Sequence, residues 1–291
     1  MFKRLCIIGL GLIGGSIARA ARRQGSAEEI VAYARKDYQD NLQTALELGV
    51  IDYFYTDIWA ALENADCVII ATPVGAVQGV FSELAPFWRD DVVYSDACST
   101  KGSVVAALVA VFGRIPANFI PAHPIAGAER SGVEASSADL FTDRRLIITP
   151  LASSNELALA KIRQFWLQIG AHVSEMTVEH HDIILAATSH LPHILAFTLV
   201  GLLGRKDEQR EIFKFAAGGF KDFSRIASSD ATMWLDICLA NKHEILPLIQ
   251  QFQTELSVIA RQLQENQAQQ LFESFTYARN ARQRYLDQLE D

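Results

Sequence analysis

The segment Gly9-Leu10-Gly11-Leu12-Ile13-Gly14 constrains this chain more than any other feature. It follows an apolar run at 4–9, RLCIIG, that reads as a buried strand, and it opens helical patterning that continues through Arg23. The three glycines have separate tasks in such a turn. Gly9 permits the tight bend, Gly11 lets backbone approach a pyrophosphate, and Gly14 allows a helix to pack closely on a strand. The helix start at Leu12 and Ile13 then offers N–H groups and the positive end of its dipole to phosphate. GxGxxG alone is a weak signal. Placed between a strand and a helix, it predicts dinucleotide binding.

The pattern downstream agrees. Strand signals recur at 29–34, 67–72, 92–95, 118–122 and 146–149, with helical stretches at 40–48, 60–63 and 104–112 between them. This alternation predicts an α/β fold, a doubly wound Rossmann-type N-terminal domain. One more helix (156–169) and a strand-like segment (171–176) follow. From residue 178 the strand signals stop, and helical periods cover 178–203, 207–217, 230–262 and 267–289. The expected division is a dinucleotide-binding domain at 1–177 and an all-helical dimerisation domain at 178–291. The helical part has many apolar positions and little chain to cover them, so a homodimer is expected.

A formal net charge of -8 argues against a nucleic-acid partner, which would need a basic face to displace counterions. Half the residues are hydrophobic and 21% charged, as in an ordinary soluble protein. Cys6, Cys67, Cys98 and Cys238 are scattered, so neither a disulfide framework nor a zinc site is suggested. Lys3, Arg4 and Ala18-Arg19-Ala20 imitate a signal peptide, but the spaced glycines explain that region better. The most apolar later stretch, Ile194 to Leu203, is shorter than the roughly 20 residues a bilayer needs. The expectation is a soluble, cytoplasmic protein with no membrane association.

At the end of the second strand, NAD enzymes usually place a carboxylate on the ribose 2′-hydroxyl. Here Tyr33-Ala34-Arg35-Lys36 has alanine in that place and two cations after it. A guanidinium suits a 2′-phosphate, so NADP is the preferred cofactor and NAD remains open, as does a plain solvent-facing role for both cations. Thr72-Pro73, at a strand's C-terminal end, could border the nicotinamide ribose or simply form a strand-to-helix turn.

Three polar clusters remain. They are Asp96-Ala97-Cys98-Ser99-Thr100-Lys101-Gly102, His123-Pro124-Ile125-Ala126-Gly127-Ala128-Glu129-Arg130-Ser131-Gly132, and Ser189-His190-Leu191-Pro192-His193 with Gly218-Gly219-Phe220-Lys221-Asp222-Phe223-Ser224-Arg225-Ile226-Ala227. Together with GLGLIGGS and Met233-Trp234, they resemble, in the same order, the prephenate dehydrogenase family, which includes arogenate and cyclohexadienyl dehydrogenases. The likeness runs from about residue 5 to 240. It implies a minimal form of the enzyme, with no chorismate mutase segment and no regulatory domain, and it adds substrate binding to the helical domain at 178–291. Ala128 stands where relatives carry threonine, a departure that bears on side-chain recognition.

The resemblance implies oxidative decarboxylation of a cyclohexadiene that carries a C1 carboxylate and a C4 hydroxyl, in tyrosine biosynthesis. Hydride passes from C4 to NAD(P)+ and the carboxylate leaves as carbon dioxide. The products are 4-hydroxyphenylpyruvate from prephenate or tyrosine from arogenate. His123 is then the group that deprotonates the hydroxyl, since an imidazole suits a base near neutrality. Ser99 would hydrogen-bond to His123 and the hydroxyl, a simple turn serine being the alternative. His193 and Arg225 would contact substrate, Arg225 through a bidentate carboxylate grip. Trp234 would line the pocket or pack in the core, and His190 would support its helix. Pro192 should kink that helix near the site. Lys221, Asp222 and Glu129 match family positions, and structural ion pairs explain them as well. His190 and His193 lack a convincing third metal ligand, so no metal is expected. A β-hydroxyacid-type dehydrogenase and a non-catalytic dinucleotide sensor are the competing readings. The first would place a catalytic lysine in the helical half, and the second would have no need to keep His123 and Arg225.

Overall fold

The computed structural model describes residues 1–128, 130–206 and 211–290. Nine strands occur among them: β1 (Phe2–Ile8), β2 (Ala27–Tyr33), β3 (Tyr53–Tyr55), β4 (Cys67–Ile70), β5 (Val93–Asp96), β6 (Phe119–Ile120), β7 (Ala122–Pro124), β8 (Arg145–Ile148) and β9 (His172–Glu175). The helices are α1 (Leu12–Gln24), α2 (Gln39–Glu47), α3 (Ile58–Leu62), α4 (Val77–Leu84), α5 (Gly102–Phe112), α6 (Glu156–Gln168), α7 (Val178–Leu185), α8 (Leu191–Lys206), α9 (Gly218–Ser224), α10 (Ala231–Ala240), α11 (Lys242–Gln264) and α12 (Ala268–Glu290).

Six strands form a parallel sheet in the order β3-β2-β1-β4-β5-β6. This is the doubly wound order, and its chain reversal between β1 and β4 is where such sheets open a ligand crevice. The central strands are apolar on both faces because both are covered. Leu5, Ile7, Cys67 and Ile69 enter one core cluster, while Cys6, Ile8, Val68 and Ile70 enter the other. Full burial of each isoleucine is worth about 1.5–3 kcal/mol.

The structure corrects the expected strand at 118–122. Pro121 has no N–H to give to a ladder, and the segment divides there into β6 and β7. β7 leaves the main sheet and pairs antiparallel with β8, which pairs parallel with β9. His123 therefore sits on a second, three-stranded sheet. The short β3 was also unforeseen.

The helices start and stop at legible caps. Gly11 caps α1, and Gly25 ends it at φ 61° with its N–H returned to the last turn. Asn155 caps α6 through Leu157 and Ala158 N–H, Thr177 caps α7, and Asp230 caps α10. A π-helical turn, Ala186–His190, joins α7 to α8 just ahead of Pro192. The fused helix Val178–Lys206 has 29 residues and is long and apolar enough, by length and composition, to cross a membrane. The shorter span read from Ile194 to Leu203 is corrected accordingly.

Of the expected helix at 207–217, residues 207–210 lie outside the described residues, and 213–215 form only a 3-10 turn. The expected 230–262 helix is broken at Asn241, whose φ of -111° and ψ of 24° are not helical. By contact density, Met1–Lys242 makes one compact unit and His243–Asp291 a second. Within the second, α11 and α12 are joined through Asn266 at a φ of 52°.

Candidate active site

The glycine-rich turn has the shape its sequence requires. Gly9 has φ +92°, and a Cβ there would lie 2.8 Å from Thr72 Cγ2. A Cβ on Gly14 would run into the Gly9 carbonyl, whereas one on Gly11 would meet nothing within 4 Å. No side chain caps α1 at Gly11, so none competes with an anion for its first-turn N–H groups. Asn41 braces the loop by donating to the Leu10 carbonyl at 2.7 Å. Open space at Gly11 beside an uncapped 13-residue helix fits a dinucleotide pyrophosphate.

Beyond β2, Arg35 and Lys36 are exposed, and the Arg35 guanidinium lies 5.9 Å from the Tyr38 ring centroid. Across the crevice, the Thr72 carbonyl accepts from Cys98 Sγ at 3.7 Å. Thr72 Oγ1 is buried with no partner among the described residues, and Pro73 is exposed. Burial pushes the Cys98 thiol well above its ordinary pKa, so it stays a neutral S–H.

Around His123 the structure builds a connected polar core. Asp96, at the end of β5, and Lys101, just before α5, form a fully buried ion pair. Lys101 Nζ also donates to the Ala122 carbonyl at 2.7 Å, and Asp96 accepts from Ala122 N–H at 3.1 Å and Cys98 N–H at 3.0 Å. These bonds fix the residue next to His123 on β7. His123 Nδ1 lies 2.9 Å from His181 Nε2, and His181 Nδ1 lies 2.7 Å from Asp182 Oδ1. Asp182 additionally accepts Lys101 N–H at 2.9 Å and Gly102 N–H at 2.8 Å, which anchors the start of α5.

Burial lowers His123 well below the usual histidine value, helped by the nearby His181, Lys101 and His190. His181 is lowered mainly by burial, against the pull of Asp182. Burial opposes ionisation of Asp182, but hydrogen bonds from His181, Lys101 and Gly102 prevail and hold its carboxyl below the ordinary range. The result is a neutral imidazole backed by an ionised carboxylate.

Next to this core stand the residues of the fused helix and α10. His193 stacks on Trp234 with ring centroids 3.7 Å apart and 20° between planes. His190 meets the same indole at 6.1 Å and accepts from Asn241 Nδ2 at 3.1 Å. The Asn241 amide also donates to the Asp182 carbonyl at 2.9 Å, which ties the two clusters together. His193 Nδ1 reaches the Ser189 carbonyl at 2.9 Å. Burial lowers the His193 pKa against the opposing hydrogen bond to Ser189, and the charge of the nearby Arg225 lowers it further. Trp234 is buried, with no partner for its Nε1 among the described residues.

Of the residues expected from sequence, His123, His193, Trp234 and Arg225 thus fall in one neighbourhood. Ser99 is half-buried in the loop after β5, and no hydrogen bond joins it to His123 among the described residues. His181 occupies the His123 Nδ1 instead. Lys221 and Asp222 are exposed, and Glu129 lies outside the described residues. Sequence reasoning missed His181 and Asn241, gave Asp182 no task, and took no account of the Asp96–Lys101 pair. A signal for His181 existed. It falls four residues before Leu185 on the buried stripe of α7, where a polar residue needs a partner.

Comparison with known proteins extends this geometry to a lineage. The family model for the prephenate dehydrogenase nucleotide-binding domain matches residues 17–175, and that for the prephenate dehydrogenase dimerization domain matches 177–277. The chain is 36% identical to cyclohexadienyl dehydrogenase of Zymomonas mobilis over 97% of its own length and 96% of the relative's. It is 36% identical to prephenate dehydrogenase of Bacillus subtilis over 96% of this chain and 75% of that one. Among solved structures, prephenate dehydrogenase of Aquifex aeolicus, in complex with hydroxyphenyl propionate and NAD+, superposes with a TM-score of 0.89 at 32% identity. That match covers 97% of this chain and 98% of the other. A crevice at a Rossmann switch point, a buried histidine core beside it and these matches lead to one assignment: the chain belongs to the prephenate dehydrogenase family.

Proposed function

We propose that this oxidoreductase catalyses the oxidative decarboxylation of prephenate, arogenate or both, with His123 as the base for the C4 hydroxyl. The observation that carries this reading is the state of that imidazole: buried, neutral and held through Nδ1, with no hydrogen bond to Nε2 among the described residues. His123 takes the hydroxyl proton as the C4 hydrogen leaves with its bonding pair, as hydride. The C1 carboxylate departs as carbon dioxide, its bonding electrons aromatise the ring, and the proton returns to the phenolate. Only a neutral histidine can begin this sequence, and positioned help of this kind is worth about 10²–10⁴ in rate. Arg225 grips a carboxylate, His193 and Trp234 form the wall against the ring and side chain, and Ser99 lies at the hydroxyl.

Gly9, Gly11, Leu12, Ile13 and Gly14 would hold a dinucleotide pyrophosphate, and Thr72 and Pro73 would flank the nicotinamide side. When bound, the nicotinamide supplies the two-electron acceptor for the hydrogen on C4. Arg35 and Lys36, exposed just after the position where a ribose-binding carboxylate would stand, favour NADP over NAD. Residues 1–177 hold the cofactor and 178–291 give the substrate wall and a homodimer interface. The exposed Leu202, Phe215, Phe223, Leu235 and Leu239 support such pairing. The proposed compartment is the cytoplasm, where a diffusible substrate and cofactor meet.

Steady-state kinetics with both substrates crossed against both cofactors tests the assignment. His123→Asn should lower kcat by about 10²–10⁴ and leave the dinucleotide Kd within about threefold. An unchanged kcat would remove His123 from the reaction.

A further inference from the structure

The structure assigns His181 and Asp182 as a positioning pair that fixes where the proton sits on His123, so that its lone pair faces the substrate. This rests on the reading of His123 as the base and adds to it the reason only one of its nitrogens can act. The proton positions are fixed outward from the carboxylate. Asp182 is ionised, and its oxygens accept from Lys101 N–H, Gly102 N–H and His181. An ionised carboxylate has no proton to donate, so His181 Nδ1 must carry hydrogen. His181 is neutral, so its Nε2 is bare and can only accept. The atom 2.9 Å away, His123 Nδ1, must therefore be the donor. His123 is also neutral, which leaves its Nε2 as the bare nitrogen. Each proton position follows from the one before it, starting from a carboxylate held by two backbone N–H groups at the head of α5.

In the reaction His123 Nε2 gains the hydroxyl proton, while Nδ1–H remains bonded to His181. No proton moves to Asp182. The carboxylate stabilises the transient imidazolium through one intervening ring and, before the proton arrives, keeps the Nε2 lone pair aimed outward. The charged and titratable groups facing His123 are His181 and Asp182 from α7, Lys101 ahead of α5, Asp96 at the end of β5 and His190 from the π turn. His181, Lys101 and His190 all oppose protonation of His123; Lys101 is itself paired with Asp96, and the Asp182 carboxylate lies beyond the His181 ring. The same carboxylate anchors the Lys101–Gly102 backbone, so the loop holding Ser99 and the base share one reference point.

The test has two arms. ¹⁵N-histidine NMR of the full-length protein near neutral pH should show His123 protonated at Nδ1 and bare at Nε2. Hydrogen on Nε2 would overturn the assignment. In kinetics, His181→Gln keeps an amide oxygen that can accept from His123 and an amide N–H that can reach Asp182, whereas His181→Leu keeps neither. His181→Leu should lower kcat about 100-fold, His181→Gln by less than about tenfold, and KM should stay within about threefold in both. Equal losses in the two variants, with KM rising alongside, would reduce His181 to a packing residue and overturn the assignment. If His123→Asn is inactive while His181→Leu is unimpaired, the pair has no role and the proposed reaction still stands. If His123→Asn keeps its turnover, the base itself is wrong and the pair's catalytic role falls with it.

Discussion

Acid should unfold this protein through His190, and the size of the effect follows from the site. His190 is 1% exposed, and its Nδ1 accepts from the Asn241 amide at 3.1 Å. Adding a proton sets one N–H against another inside the fold. Burial brings its pKa from 6.5 to about 4, opposed by the charge of Asp182 and aided to a lesser degree by His181 and His193. The unfolded chain therefore binds the proton more readily than the folded one between those two values. Stability contributed by neutral His190 is complete above 6.5 and is lost as pH falls toward 4. Linkage with these two values gives a loss of about 2 kcal/mol between about pH 7.5 and about pH 5. His190→Gln removes the titration while an amide oxygen can still accept from Asn241. Urea unfolding followed by tryptophan fluorescence, at one fixed protein concentration, should show wild type losing about 2 kcal/mol more than His190→Gln over that interval. Identical pH slopes for the two proteins would refute the reasoning, because they would mean His190 already carries its proton in the native state or is reached by water there.

The buried Asp96–Lys101 pair gives a second outcome. Lys101→Met should cost about 3–5 kcal/mol in urea unfolding by leaving a buried carboxylate without its cation, and adding Asp96→Asn should recover part of that loss. A single variant as stable as wild type would show that water reaches Asp96. At the cofactor turn, Gly14→Ala drives a methyl group into the Gly9 carbonyl, so the dinucleotide Kd measured by fluorescence titration should weaken at least about tenfold. Unaltered affinity would mean that the turn does not hold the pyrophosphate.

Local sequence signals carried most of the first 177 residues. GxGxxG is legible because its constraints are short-range: a turn, a close approach and a helix start lie within six residues. The apolar strands are legible for a similar reason, since a strand covered on both faces must be apolar at every position. The break at Pro121 was written in the sequence as a missing donor, yet its consequence was not. Only the paired strands show that β7 leaves one sheet for another and takes His123 with it.

The chain alone determined which residue types were available for the chemistry, and it set His123, His193, Trp234 and Arg225 in recognisable segments. What joins His123 to His181 across 58 positions, and Asp182 to the backbone of Lys101 across 81, was decided by tertiary structure. Hydrogen bonds between elements depend on how β7, α5 and α7 pack, and nothing in local periodicity encodes that packing. The same limit applies to Asn241, which lies 51 residues from His190 and meets it only where the residue after α10 reaches the π turn. Pattern could name a histidine for the site. Deciding which of its nitrogens is free required the fold, because the proton's position is set by a carboxylate on the far side of a second imidazole.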